Sequence, residues 1–445
     1  MAALSVARLV AAFRGKQLYL RSGMTYSVER LAYSVAGILV YIALGRALDP
    51  AAMGAFNFAQ TAANMAGPFL AVGAEAVIVR ELVRNPRDGA VILGSGFRIL
   101  LINSLGVMTL PVLFVWATLG NDRDALAMTI WFVLPFLFNG FFVIDHYLRA
   151  RLLPRPLVVA RLLSIVLGLA IKLGALLAGF SVVYVAAGSA IEQAALILLL
   201  ILTYRRLPDG PRKWTTRTDT VRLLFRQCIP AMVAAVVVQL FFRINSLMLG
   251  SLSSVPEGGL SETGQYAVAF QIIQLTNMLP AAVFPAIYPR LVALQSENPQ
   301  RYEEVLRRLL VWMTLLGYGL AAGAYMFAHP VLNLVLGGKF DRAADILLVL
   351  CASTIFNFSG AVRAQFINIE GTTHYHMISA ALGLVVLVPA DLYLIPLHGA
   401  LGAAWSAVAA TFVSGVLSSL LFRRTRAFGL SQLLALLMIS RPARH

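Results

Sequence analysis

Residues 163–180 read LSIVLGLAIKLGALLAGF, an apolar run interrupted by one cation, Lys172. A helix needs about 20 mostly apolar residues to cross a bilayer, and this run has that length. A full charge near its centre is costly in lipid and is kept where it faces protein or water. The run therefore reads as a membrane helix with an inward-facing lysine. Its neighbours repeat the pattern: about twelve apolar segments lie at 24–45, 53–79, 90–117, 126–147, 157–178, 182–203, 222–249, 265–288, 309–328, 341–363, 377–395 and 400–421. With 59% hydrophobic and 13% charged residues, the 445-residue chain has too little polar surface to be water-soluble. The expected fold class is an all-α polytopic membrane protein of about 12 transmembrane helices.

The third, seventh and eighth segments exceed the length a crossing needs, so tilting, kinking or protrusion is expected there. In LPAAVFPAIYPR (279–290), Pro280 and Pro285 mark the eighth as a broken helix, because a proline lacks the amide of the helical ladder. The longest internal polar loop, YRRLPDGPRKWTTRTDT (204–220), separates six segments from six. The expected organisation is a basic tail (1–23), a six-helix bundle (24–203), a linker (204–221), a second six-helix bundle (222–422) and a tail (423–445). Two such bundles around a central cleft suit a transporter.

The formal net charge is +16. With the N-terminus inside, the cytoplasmic segments hold about 26 of the 36 basic residues, and the external loops hold about four, Arg46, Arg123, Lys339 and Arg342. Both termini are therefore expected in the cytoplasm, as are Arg149 and Arg212 in their loops. The basic loops are expected to rest on anionic lipid headgroups, and the charge calls for no nucleic-acid partner.

Signs of catalysis are weak. No HExxH, glycine-rich phosphate loop or paired-aspartate motif is present, so no catalytic residue, metal site or cofactor is expected. Cys228 and Cys351 lie in apolar segments and read as packing residues. His146, beside Asp145, reads as an interfacial pair, and His374 and His376 as solvated loop residues.

The embedded charges are more informative. Lys172, and Arg243 within VVQLFFRINSLMLG (237–250), have apolar neighbours and are hard to leave facing lipid. Two readings stand open: they contact a ligand or gate, or they form structural ion pairs with carboxylates such as Glu29, Glu75 or Glu192. Arg30, Arg98 and Arg161 lie nearer their helix ends, within snorkelling distance. The carboxylates Glu29, Glu75, Glu192 and Asp391 either neutralise buried cations or titrate with a coupled ion. Asn57, Gln60 and Asn64 share one helix face and Gln271 and Gln274 another, either lining a hydrated cleft or joining helices. Tyr266, Phe270 and Phe284 are aromatic candidates for sugar or lipid contact.

The order of these motifs resembles the polysaccharide and oligosaccharide flippase family (Wzx-like) of the multidrug/oligosaccharidyl-lipid/polysaccharide exporter superfamily. VAGILVYIALGRALDPAAMGAFNFAQTAANMAGPF (35–69) resembles the family's first helix, its Arg-x-Leu-x-Pro turn (Arg46, Leu48, Pro50) and the Gly-aromatic start of its second helix (Gly54). SETGQYAVAFQIIQL (261–275), VLNLVLGGKFDRAADILLVL (331–350), NIEG (368–371) and LIPLHGALGAAWSAVAATFVSG (394–415) resemble later segments. The likeness spans about 24–422, and Arg243 stands near a place where many relatives carry an aspartate. It implies an alternating-access flippase of the bacterial inner membrane that moves a lipid-linked oligosaccharide, commonly on undecaprenyl diphosphate, alongside polysaccharide-assembly proteins. In that reading Lys172, Arg243, Arg30 and Arg161 attract the diphosphate, and Gln239, Asn245, Gln271 and Gln274 exchange hydrogen bonds with sugar or water. The alternative is an ion-coupled exporter of small amphipathic molecules or drugs.

Overall fold

The computed structural model describes residues 32–71, 73–120, 122–208, 210–253 and 258–437. The expected tail 1–23 and the candidates Glu29 and Arg30 lie outside the described residues. The described chain is all-helical, starting with a shorter apolar helix, α1 (Ala32–Ala47). Eleven further helices are long and apolar enough to cross a membrane: α2 (Pro50–Arg84), α3 (Pro86–Leu119), α4 (Arg123–Ala150), α5 (Pro154–Leu177), α6 (Val182–Arg205), α7 (Thr218–Leu252), α8 (Gly259–Glu297), α9 (Pro299–Leu336), α10 (Asp341–Ile369), α11 (His374–His398) and α12 (Ala400–Leu421). A final helix, α13 (Arg426–Leu436), follows.

Most helices run past the expected apolar spans, and at two of them a polar cap outside the span closes the first turn. Asp122 accepts from the Asp124 and Ala125 amides at 3.1 Å each at the start of α4. Asn298 accepts from Arg301 N at 3.0 Å at the start of α9, where Pro299 fits the first helical turn.

The interruptions follow from local sequence. α8 breaks at Asn277, between Gly259–Thr276 and Met278–Glu297, while Pro285 and Pro289 sit inside the second piece. The break is therefore set by Pro280 alone, whose ring opposes the carbonyl four residues back, at Thr276. α4 contains a 3-10 stretch, Leu134–Phe142, holding Pro135 and Gly140, and Gly140 lies against the Phe97 ring, where a Cβ would collide. α2 is interrupted between Met65 and Ala74, with Gly73 in the left-handed region at φ 62°. A broken helix leaves carbonyls without partners, which lipid cannot supply. Two amides supply them: Asn103 Nδ2 donates to Phe69 O, and Asn139 Nδ2 donates to Leu70 O at 3.0 Å.

The described residues form two compact units, 32–40 with 66–233, and 41–65 with 234–437. In the first, α4, α5 and α6 pack with α3 and the start of α7 around Ile78, Leu93, Val143, Leu148 and Leu200. The 204–221 segment is docked on this unit: Trp214 Nε1 donates to Tyr204 OH at 3.0 Å, and Thr215 N donates to Ala90 O at 3.2 Å. In the second unit, α8, α9 and α10 bury Phe284, Leu291, Leu310, Phe358 and Val362. Both cysteines are buried and unbridged.

Candidate functional site

In the first unit the cation that decided the reading of the sequence has a partner. Lys172 Nζ lies 2.6 Å from Glu192 Oε2, with each side chain 14% exposed. Glycines make room for the pair where α5 meets α6: a Cβ on Gly168 would overlap Glu192, and one on Gly188 would press on Lys172. Of the two readings left open for Lys172, the structure displays the ion pair.

A second charged cluster centres on Asp145, which is buried at the end of α4. Arg149 Nε and Arg161 Nη2 each lie 2.8 Å from its carboxylate, and Arg149 also reaches Glu75 at 3.1 Å. Arg161 is therefore tied to a carboxylate, and the half-exposed Glu75 belongs to the same network. Arg149, expected as a plain loop cation, is in the last turn of α4 with its side chain three-quarters buried. His146 Nδ1 is 3.7 Å from Asp145 and, among the described residues, has no hydrogen bond. The Asp145–Arg149 spacing of four residues is the sequence signal that could have found this cluster.

The second unit holds a partly open pocket lined by Phe242, Asn245, Tyr266, Phe270, Gln274, Asn277, Asn357 and Thr411 among others, with no charged residue in its lining. Tyr266 and Phe270 stack with centroids 5.8 Å apart and planes 13° from parallel. Asn245 Nδ2 donates to Ala403 O at 3.0 Å, and Asn277 Nδ2 donates to Gln274 Oε1 at 3.3 Å. Two of the expected amides, Asn245 and Gln274, thus meet in one cavity. Gln271 is half-buried outside its lining, and Gln239 Nε2 is engaged with Asn64 O at 3.1 Å. Asp391 is fully buried in α11, and among the described residues neither carboxylate oxygen has a hydrogen bond. Ser406, beside it, gives its hydroxyl hydrogen to Gly402 O at 3.0 Å. Arg243 is half-buried and within electrostatic reach of the Tyr41 phenol, which accepts from Asn57 Nδ2 at 2.9 Å. Among the described residues Arg243 forms no ion pair.

The segments that carried the family resemblance converge in the second unit, where their polar residues bond to one another. Arg46 Nε donates to Val335 O at 2.6 Å, and Lys339 Nζ donates to Arg46 O at 3.0 Å. Arg342 Nη1 meets Glu262 at 2.5 Å, and the other Glu262 oxygen accepts from Ala400 N at 2.6 Å at the start of α12. Gly54 and Gly264 allow backbone contact between α2 and α8, since a Cβ on either would fall on a carbonyl of the other helix. Sequence reasoning passed over Glu262, and also Arg363, a buried cation in α10.

A family model described as "Polysaccharide biosynthesis protein" matches residues 20–295. The chain belongs to that family. Solved structures agree on the fold. Lipid II flippase MurJ in an inward closed conformation is similar at TM-score 0.70 and 13% identity, covering 94% of this chain and 91% of that one. An inward-facing multidrug resistance MATE family transporter of the MOP superfamily is similar at TM-score 0.68 and 15% identity, covering 94% of this chain and 100% of that one. An outward-facing one gives TM-score 0.61 and 16% identity, over 94% and 97%. No curated protein is significantly similar in sequence. The family match includes Lys172, Glu192, Arg243, Asn245, Tyr266 and Gln274, and ends before Arg363 and Asp391.

Proposed function

We propose that this protein is an alternating-access flippase that carries a lipid-linked oligosaccharide, on a diphosphate carrier such as undecaprenyl diphosphate, across a bacterial inner membrane. The observation that carries the reading is the uncharged cavity walled by the stacked Tyr266 and Phe270 and by the amides Asn245, Gln274, Asn277 and Asn357. Aromatic faces take the apolar faces of sugar rings, and amides exchange hydrogen bonds with hydroxyls. Membership in a polysaccharide family favours sugar over a greasy cation as the cargo.

Arg243 is the proposed diphosphate contact, because no carboxylate among the described residues already neutralises it. Lys172 would first have to leave Glu192, so its proposed part is to hold α5 to α6. Arg243→Gln is expected to lower transport while leaving the amount of folded protein in the membrane unchanged; equal transport by the variant removes Arg243 from the site. The second reading, an ion-coupled exporter, is favoured by one feature, the unpartnered buried Asp391. The deciding experiment compares sugar-linked lipid intermediates on the two membrane faces in host cells with and without the protein. Accumulation on the cytoplasmic face after depletion, reversed on restoring the protein, supports flipping. An unchanged distribution in cells lacking redundant flippases favours the exporter.

A further inference from the structure

Arg363 is a buried cation with no counter-ion among the described residues. Its relative exposure is 6%, and no ion pair involves it among the described residues. Its three hydrogen bonds all leave from Nη1, to the hydroxyls of Ser418, of Ser379 at 3.1 Å and of Ser419 at 3.4 Å. Nε is buried with no partner. A buried charge costs several kcal/mol unless it is compensated, and neutral hydroxyls compensate it only in part.

The surroundings are built for this nest. Residues Val413–Leu417 of α12 form a π-helical turn, which inserts a residue into the register just ahead of Ser418 and Ser419. Ser418 Oγ donates to Ser414 O at 2.6 Å and Ser419 Oγ to Gln432 Oε1 at 3.2 Å, so both hydroxyls can turn their oxygens to the guanidinium. α13 closes over the nest, with Gln432 Nε2 donating to Gly415 O at 2.8 Å and Gly429 lying against Ser419. His376 of α11 lies within the Arg363 field, and Arg423, Arg424 and Arg426 are exposed at the head of α13.

We propose that Arg363 and the Ser379, Ser418 and Ser419 hydroxyls form an anion site that takes one phosphate-type oxyanion, with α13 as its cover. The unused Nε edge of a guanidinium matches two oxygens of a phosphate, and the serine hydroxyls can swing from their present acceptors to donate to it. The oxyanion can belong to a phospholipid headgroup or to free phosphate. This site lies outside the sugar cavity's lining and stands whether or not the transport reading does.

The test is phosphate-group binding to the delipidated full-length protein, followed by native mass spectrometry and thermal unfolding. The probes are phosphatidylglycerol, diacylglycerol, sodium phosphate, and sodium chloride at matched ionic strength. Phosphatidylglycerol is expected to bind and to raise the unfolding temperature, while diacylglycerol does neither. Arg363→Gln is expected to weaken that binding by about tenfold or more, the loss of charge-assisted hydrogen bonds. Arg363→Lys, which keeps the charge and loses the fork, should also bind more weakly than the parent. A double Arg423→Gln, Arg424→Gln variant on the exposed surface should bind as the parent does. Stabilisation by sodium phosphate as well as lipid assigns a free-anion site, and stabilisation by the phospholipid alone assigns a headgroup site. No binding to the parent protein, unchanged binding to Arg363→Gln, or chloride acting as well as phosphate overturns the proposal. Because Arg363→Gln removes an uncompensated buried charge, its own unfolding temperature should not fall, which separates lost binding from lost folding.

Discussion

Glu192→Gln would leave Lys172 buried at the α5–α6 contact with its charge uncompensated. Breaking one partner of a buried ion pair costs about 3–5 kcal/mol, whereas replacing both by apolar residues is often neutral or better. The single variant should therefore unfold at a clearly lower temperature in detergent, and the double Lys172→Met, Glu192→Leu variant should recover it. If the pair is structural, the double variant also transports normally; a stable but inactive double variant would return Lys172 to the substrate path. Sequence alone exposed Lys172 as an embedded charge but left its partner open among three glutamates. The missing information was rotational: which helix face Glu192 presents is settled by packing, and its trace in the sequence is the pair of small residues Gly168 and Gly188 on either side. Arg363 was missed for a related reason. It ends the expected apolar span at 341–363, where an arginine ordinarily reaches the interface, and only the continuation of α10 to Ile369 buries it.

Helix breaks show how a membrane protein satisfies its own backbone. Asn103 and Asn139 cover the carbonyls of Phe69 and Leu70 where α2 is interrupted, and each replacement by Leu strands one part-buried acceptor, at a cost up to about 1–3 kcal/mol. Both variants should lower the unfolding temperature, with the double variant additive or worse; equal stability of all three would mean that water, not the amides, satisfies these carbonyls. The break in α8 was legible because proline fixes it locally, yet Pro285 and Pro289 were absorbed within a continuing helix. The interruptions of α2 and α4 went unread, since their prolines, Pro68 and Pro135, sit in apolar runs whose hydropathy alone gives no sign of a bend. The segments of the family resemblance were legible as motifs but not as contacts. Gly54 and Gly264 are far apart in the chain, and only the fold brings α2 and α8 close enough for a Cβ to be excluded. Glu262, joined to both Arg342 and Ala400 N, is the link that sequence reading had no means to predict, because its partners come from two other helices.

At the scale of the whole molecule, composition specifies the solvent and charge placement predicts the orientation. Hydrophobic residues make up 59% of the chain, and the helices they form leave Trp312, Tyr325, Leu334 and Tyr393 more than two-thirds exposed, as lipid-facing side chains would be. Translocation is biased against short loops rich in Lys and Arg, so segments carrying about 26 of 36 cations should stay in the cytoplasm. The densest cationic stretches are the docked 204–221 segment, with Arg205, Arg206, Arg212, Lys213 and Arg217, and Arg423, Arg424 and Arg426 at the head of α13. Reporter fusions at 216 and after 426 should show the cytoplasmic signal, and fusions at 253–258 and 337–340 the external one. Replacing the five cations of the 204–221 segment by Gln should weaken the orientation signal of α6 and α7 while Trp214 still holds the segment in place, so mixed reporter signals are expected there and not at 337–340. An external signal at 216 in the unaltered chain would invert the whole arrangement. It would move the Arg363 nest, near the turn between α10 and α11, to the outer face, where only outer-leaflet headgroups or external phosphate could reach it.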